Sequence, residues 1–254
     1  GRGSVVGETL VNHPDVAALS FTGSVETGRA IAAKMAARMA KLQLEMGGKN
    51  PLVVLDDADL PTAVNCALQG AYFSTGQRCT ASSRLIVTRG IHDRFVAALT
   101  DRLAALKVDD ALAPGTDLGP VVDQSQLDTD LRYVAVGRDE GAQLAFGGER
   151  LERPKDGFYL APALFTEATN AMRIAREEIF GFVDYLNNGL TRENDFDKDF
   201  VMKSCLVLSD LPVQYMVRNF NNHNLATIYS NWVGIKVAVE KGVKLVNSFG
   251  IDAD

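Results

Sequence analysis

The order of residues predicts an α/β fold in which helices layer onto a mainly parallel sheet. Three observations carry this. Short apolar runs alternate with segments of helical period, Gly, Pro and Asp stand at the junctions between them, and no repeat or low-complexity tract interrupts the alternation.

The elements follow in order. Residues 17–21 form a short apolar run closed by Thr22-Gly23-Ser24, and residues 25–41 then repeat Ile31, Met35 and Met39 at helical spacing, so strand, tight turn and helix are expected. Residues 42–44 and 52–55 are strand-like pieces on either side of Glu45-Met46-Gly47-Gly48-Lys49-Asn50-Pro51. Asp59 offers a helix cap and Pro61 a first turn, so a helix is expected over 62–74, ending in a loop at Gly76. Residues 85–87 suggest a strand. Residues 91–106 place Phe95, Leu99, Leu103 and Leu106 on one helical face. A loop at 114–120, a helix at 127–140 and an extended piece at 142–146 closed by Gly147-Gly148 complete this part.

Composition changes near Phe182: residues 182–254 hold nine Asn and three Ala, against four Asn and 27 Ala in residues 1–181. A shift of that size marks a domain boundary, a chimeric join or a divergent segment. The tail keeps α/β punctuation, strand-like at 205–208, 225–229 and 244–247 and helical at 211–220.

Bulk properties narrow the function. With 254 residues and 46% hydrophobic content the chain can bury a sizeable core, and a net charge of −6 with scattered Lys and Arg gives no footprint for nucleic acid or anionic membranes. Neither partner is expected. The three cysteines, Cys66, Cys79 and Cys205, match no disulfide framework and no metal site, which together with the lack of a spanning apolar run points to the cytoplasm. The opening Gly-Arg-Gly-Ser has no initiator Met, so a natural N-terminus upstream is expected.

Gly76-Gln77-Arg78-Cys79-Thr80 sets a thiol in a polar loop beside a cation. Thiolate is the reactive form, and a neighbouring Arg or oriented amides would lower the thiol from its reference pKa of about 8.5. Cys79 is therefore the candidate nucleophile, whereas Cys66 and Cys205 lie in apolar stretches suited to packing. Glu45, at a strand end before two glycines, is a candidate general base at a sheet rim, although a surface Glu is the commoner explanation of such a residue. Phe21-Thr22-Gly23-Ser24, with Gly23 and Gly28 spaced across a strand-to-helix turn, offers backbone amides to an anion or a polarised ring, but without the Lys of a P-loop. His13, His92 and His223 do not group with the cysteines, which disfavours a Cys-His hydrolase.

In this order and spacing the Phe-Thr-Gly-Ser turn, Leu44-Glu45-Met46-Gly47-Gly48-Lys49-Asn50-Pro51, Gly76-Gln77-Arg78-Cys79 and Glu177-Glu178-Ile179-Phe180-Gly181 resemble the aldehyde dehydrogenase family, most of all its branch that oxidises α-ketoglutarate semialdehyde. The resemblance runs to about residue 181, where Phe182 stands in place of the family's proline, and 224–231 and 243–249 look like degenerate versions of its last strands.

It implies an aldehyde-dehydrogenase-like three-layer αβα fold, with residues 1–44 as the C-terminal remnant of a Rossmann-type cofactor domain and 45–254 as the catalytic domain. Residues 182–254 are then a divergent or foreign segment. It further implies NAD or NADP as cofactor, contacted by Phe21, Thr22, Gly23, Ser24, Gly47, Glu178 and Phe180, an aldehyde substrate attacked by Cys79, a thioester hydrolysed with Glu45 as base, no metal, and a homo-oligomeric full-length parent. Two alternatives remain at this point: an inactive fragment, and a cofactor-independent thioesterase using Cys79 and Glu45.

Overall fold

The computed structural model describes residues 1–187 and 206–208, and the contacts divide the chain into Gly1–Gly48 and Lys49–Asp254. The strand that carries Glu45 lies within the first of these.

In the first unit a short helix, α1 (Glu8–Asn12), precedes β1 (Ala18–Gly23), α2 (Val25–Ala37) and β2 (Lys41–Met46). β1 and β2 pair in parallel, with Phe21 opposite Leu44, Thr22 opposite Glu45 and Gly23 opposite Met46. Ser24 caps α2, its hydroxyl accepting from the Thr27 N–H at 3.3 Å. The helix ends earlier than the spacing suggests, because Met39 takes a positive φ and lies exposed instead of continuing the apolar face.

Among the described residues the second unit is built on a six-stranded sheet. Its strands are β3 (Asn50–Val54), β4 (Ser82–Val87), β5 (Gln143–Phe146), β8 (Ala163–Ala168), β9 (Val183–Asn187) and β10 (Leu206–Leu208), while β6 (Arg150–Leu151) and β7 (Tyr159–Leu160) form a separate small antiparallel pair. The order is β10-β3-β4-β9-β8-β5, parallel throughout except where β5 meets β8. Helices α3 (Leu60–Ala67), α4 (Arg89–Ala104), α5 (Gln124–Asp139) and the single turn α6 (Arg173–Arg176) accompany it.

The expected cap forms: Asp59 accepts from the Thr62 N–H at 3.0 Å with Pro61 in the first turn of α3. A cap not foreseen starts α5, where Asp123 accepts from the Gln126 N–H at 2.9 Å. Of the predicted face, Phe95, Leu99 and Leu103 are buried on α4, joined by Ile91, in one cluster with Leu52, Val54, Leu85 and Val87 of the sheet, while Leu106 lies past the helix end and is only partly buried. β8 and β9 have no counterpart among the expected elements. Phe182, where the composition changes, is fully buried in the core, its carbonyl accepts from the Ala163 N–H, and β9 begins directly after it. β10 agrees with the expected strand at 205–208, whereas the elements expected at 211–220, 225–229 and 244–247 lie outside the described residues.

Candidate active site

The expected site residues divide between the two units. In the first, Phe21, Thr22, Gly23 and Ser24 form the end of β1 and the cap of α2, and the parallel register sets Glu45 beside Thr22, with Gly47 just past the end of β2. Glu45 is exposed. Gly23 lies under the Phe21 ring, where an added Cβ would come within 2.5 Å of the ring carbon, so any larger residue would displace Phe21. Gly28 is not part of the turn: it is buried in α2 beneath the Met46 sulfur, where a Cβ would collide.

In the second unit the helix expected to run to Ser74 departs from that course. After α3 the chain widens into one π-helical turn, Leu68–Tyr72, and then Ser74, Thr75 and Gly76 enter the left-handed region at φ of 56°, 57° and 64°. Two non-glycine residues in succession there are strained, and tertiary contacts must hold them. They do so at Gly76, where a Cβ would collide with the Gly181 carbonyl oxygen. The loop bearing the candidate nucleophile is thereby packed on the Glu177–Gly181 segment that bears Glu178 and Phe180.

Cys79 is exposed, in a turn between this hinge and β4. Among the described residues no acceptor takes the Cys79 N–H. The Arg78 guanidinium reaches back along the chain, its Nη2 donating to the carbonyls of Gln69 at 2.7 Å and Gly70 at 2.8 Å. Gln77 Oε1 accepts from Thr75 Oγ1 at 2.8 Å and from the Val122 N–H at 3.1 Å, tying the loop to the segment before α5. Cys66 is half-buried against the core and burial pushes its thiol pKa up.

The two consecutive acids have different surroundings. Glu177 accepts from Tyr133 Oη at 2.8 Å and from both Nε and Nη2 of Arg173 at 3.0 Å, and these partners hold its carboxyl below the usual range. Glu178 is half-buried, and Phe180 is 41% exposed with φ of 59°, so its ring is turned outward on a constrained backbone.

Sequence reasoning passed over several buried polar groups nearby. Asp130 of α5 is buried beneath Gly181, with Gln126 Nε2 donating to it at 2.8 Å, and burial pushes its pKa up to about 7. Lys49 Nζ is buried 5.4 Å from the Tyr185 ring centroid. Burial lowers its pKa, and burial likewise raises that of Asp184 in β9, each opposing the other's shift through the attraction between them. Asn50 Nδ2, at the start of β3, donates to the Cys79 carbonyl at 2.6 Å. Residue spacing could not reveal that bond, because it joins segments 29 positions apart.

A mainly parallel sheet accompanied by helices defines an α/β protein. The sequence model described as the aldehyde dehydrogenase family matches residues 1–192, and the chain belongs to that family. It is 46% identical over 203 residues to an alpha-ketoglutaric semialdehyde dehydrogenase of Bacillus subtilis, covering 77% of this chain and 42% of that protein. It is 37% identical over 250 residues to a betaine aldehyde dehydrogenase of Cereibacter sphaeroides, covering 94% and 51%. Among solved structures, betaine aldehyde dehydrogenase from Staphylococcus aureus in complex with NAD+ is 37% identical with a TM-score of 0.77, covering 83% of this chain and 43% of that one. The chain thus spans about half or less of the length of these relatives. The family model reaches residue 192, and the alignment with the Cereibacter protein extends over 250 residues at lower identity.

Proposed function

We propose that this chain carries the acyl-transfer half of an NAD(P)+-dependent oxidation of an aldehyde or semialdehyde to a carboxylate, with Cys79 as nucleophile and Glu45 as base. The observation that carries the reading is the state of Cys79: an exposed thiol in a turn held from several sides, with its own N–H unengaged among the described residues.

In this reading the Cys79 thiolate adds to the aldehyde carbon, and the oxygen that becomes negative meets the Cys79 N–H. After oxidation to a thioester, Glu45 takes a proton from the water that attacks the acyl carbon, and the Cys79 thiolate leaves. The nicotinamide cofactor, when bound, supplies the hydride acceptor. Its fit rests on the Phe21-Thr22-Gly23-Ser24 turn at the N-terminus of α2, and on the outward ring of Phe180 beside the half-buried Glu178, with Gly47 leaving room for the ring. The likeness to the Bacillus semialdehyde dehydrogenase favours an oxo-acid semialdehyde as substrate. Cytoplasmic location and a homo-oligomeric parent belong to the same reading, and no described helix is long and apolar enough to cross a membrane.

Limiting iodoacetamide followed by peptide mapping tests the central assignment. Cys79 is expected to be labelled first, because Cys66 is half-buried with a raised thiol pKa. Faster labelling of Cys66 or Cys205 would overturn it. A second reading, that the chain by itself turns over no aldehyde, is favoured by its covering only 42% of the semialdehyde dehydrogenase. Calorimetric titration with NAD+ alongside an assay with 2,5-dioxopentanoate decides between the two.

A further inference from the structure

Both peptide planes that flank Cys79 are held by groups the reaction itself does not use. On the upstream side, the Arg78 carbonyl accepts from the Ala81 N–H at 3.0 Å and the Arg78 N–H donates to the Gly76 carbonyl at 2.9 Å. The Arg78 side chain meanwhile reaches back to the Gln69 and Gly70 carbonyls, within the widened turn Leu68–Tyr72. On the downstream side, Asn50 Nδ2 donates to the Cys79 carbonyl at 2.6 Å and to the Ala81 carbonyl at 3.2 Å. Asn50 can reach the turn because the β3–β4 register shifts between Asn50 and Pro51.

We propose that Asn50 and Arg78 are positioning residues for the nucleophile, fixing the two peptide planes so that Cys79 Sγ faces a carbonyl carbon while the Cys79 N–H faces its oxygen. The inference rests on the reading of Cys79 as nucleophile. An amide donor stabilises a developing oxyanion only if its direction is set before reaction, and near-attack geometry tolerates little error. Arg78 carries a charge-assisted pair of bonds to carbonyls at the far end of the hinge, so it resists rotation of its own residue. Asn50 stops the following peptide from flipping, which would swing the turn and re-aim Sγ.

Two thiol reagents separate aim from mere accessibility, and both can be used on the full 254-residue chain. With p-nitrophenyl acetate, Sγ attacks the ester carbon, an S–C bond forms, the bond to the aryl oxygen breaks and p-nitrophenolate leaves with the electron pair, through an oxyanion that the N–H must meet. With iodoacetamide, Sγ displaces iodide at a saturated carbon and no oxyanion forms.

Asn50→Ala and Arg78→Ala are expected to slow the ester burst by about tenfold or more, while alkylation of Cys79 changes by less than about threefold. Arg78→Lys, which keeps a cationic donor, should fall between wild type and Arg78→Ala. If an alanine variant loses its thermal transition, Asn50→Ser and Arg78→Lys serve for the same comparison. Equal losses with both reagents, no loss with either, or a wild-type chain without a burst would each overturn the proposal. Cys79→Ser distinguishes the two layers of the argument. A burst that survives it removes the nucleophile reading itself, whereas a burst lost in Cys79→Ser but intact in Asn50→Ala and Arg78→Ala removes only the positioning role.

Discussion

Asp130 illustrates how one side chain can tie stability to pH in this fold. Its carboxyl is buried with Oδ2 unpartnered among the described residues, and burial raises its pKa from 3.8 to about 7 against the opposing hydrogen bonds of Gln126 and the Phe182 N–H. A proline at 182, as the family resemblance leads one to expect, would have no N–H to offer it, so Phe182 and Asp130 suit each other. Because the folded-state pKa lies above the unfolded one, this group's stabilising contribution is complete below about pH 4 and is lost as pH rises through about 7. Asp130→Asn should therefore leave stability nearly unchanged at pH 4 and raise it at pH 8 by on the order of 2–4 kcal/mol. Urea unfolding at both pH values checks it. A variant less stable than wild type at pH 8 would mean that the carboxylate has a compensating partner.

At the scale of elements, the hinge before Cys79 is where the local rules and the fold disagree. Ser74 and Thr75 have no intrinsic preference for the left-handed region, and Gly76 has no room for a side chain against Gly181. Gly76→Ala should cost at least about 1–3 kcal/mol and should disturb the Cys79 turn and the Phe180 segment together. Near-ultraviolet circular dichroism and urea unfolding would register both, and an unaltered midpoint would show that the contact with Gly181 is loose.

This hinge also marks the limit of what residue order could reveal. Helices α2 and α4 were legible because their apolar residues repeat at helical spacing, and α3 because Asp59 and Pro61 mark its start; the caps Ser24 and Asp123 were not foreseen. β8 and β9 were not, since they are buried almost throughout and show no alternation between apolar and polar residues. Asn50 and Asp130 act through partners far away in sequence, on Cys79 and Phe182, so neither had a local signature.

Across the whole molecule, burial is distributed very unevenly. In Gly1–Gly48 the buried residues are Val11, Gly28 and Met35, on a sheet of two strands, whereas the described part of the second unit has two buried apolar clusters on a six-stranded sheet, a larger one from Leu52 to Leu186 and a smaller one from Tyr133 to Tyr185. A two-stranded sheet is marginal in water, and local opening is cheapest where few apolar groups are buried. The exposed ion pair of Lys34 with Glu8, which joins α2 to α1, adds little to it. The amides of β1, α2 and β2 are thus expected to exchange with deuterium at least about a hundredfold faster than those of β3, β4, β8 and β9. Because Glu45 and the Phe-Thr-Gly-Ser turn sit on those labile strands while Cys79 sits on the protected unit, the chain alone should label at Cys79 yet hold NAD+ only weakly. Exchange measured by mass spectrometry on the isolated chain tests this, and equal protection of β2 and β4 would mean that the first unit is held by contacts beyond its own small core.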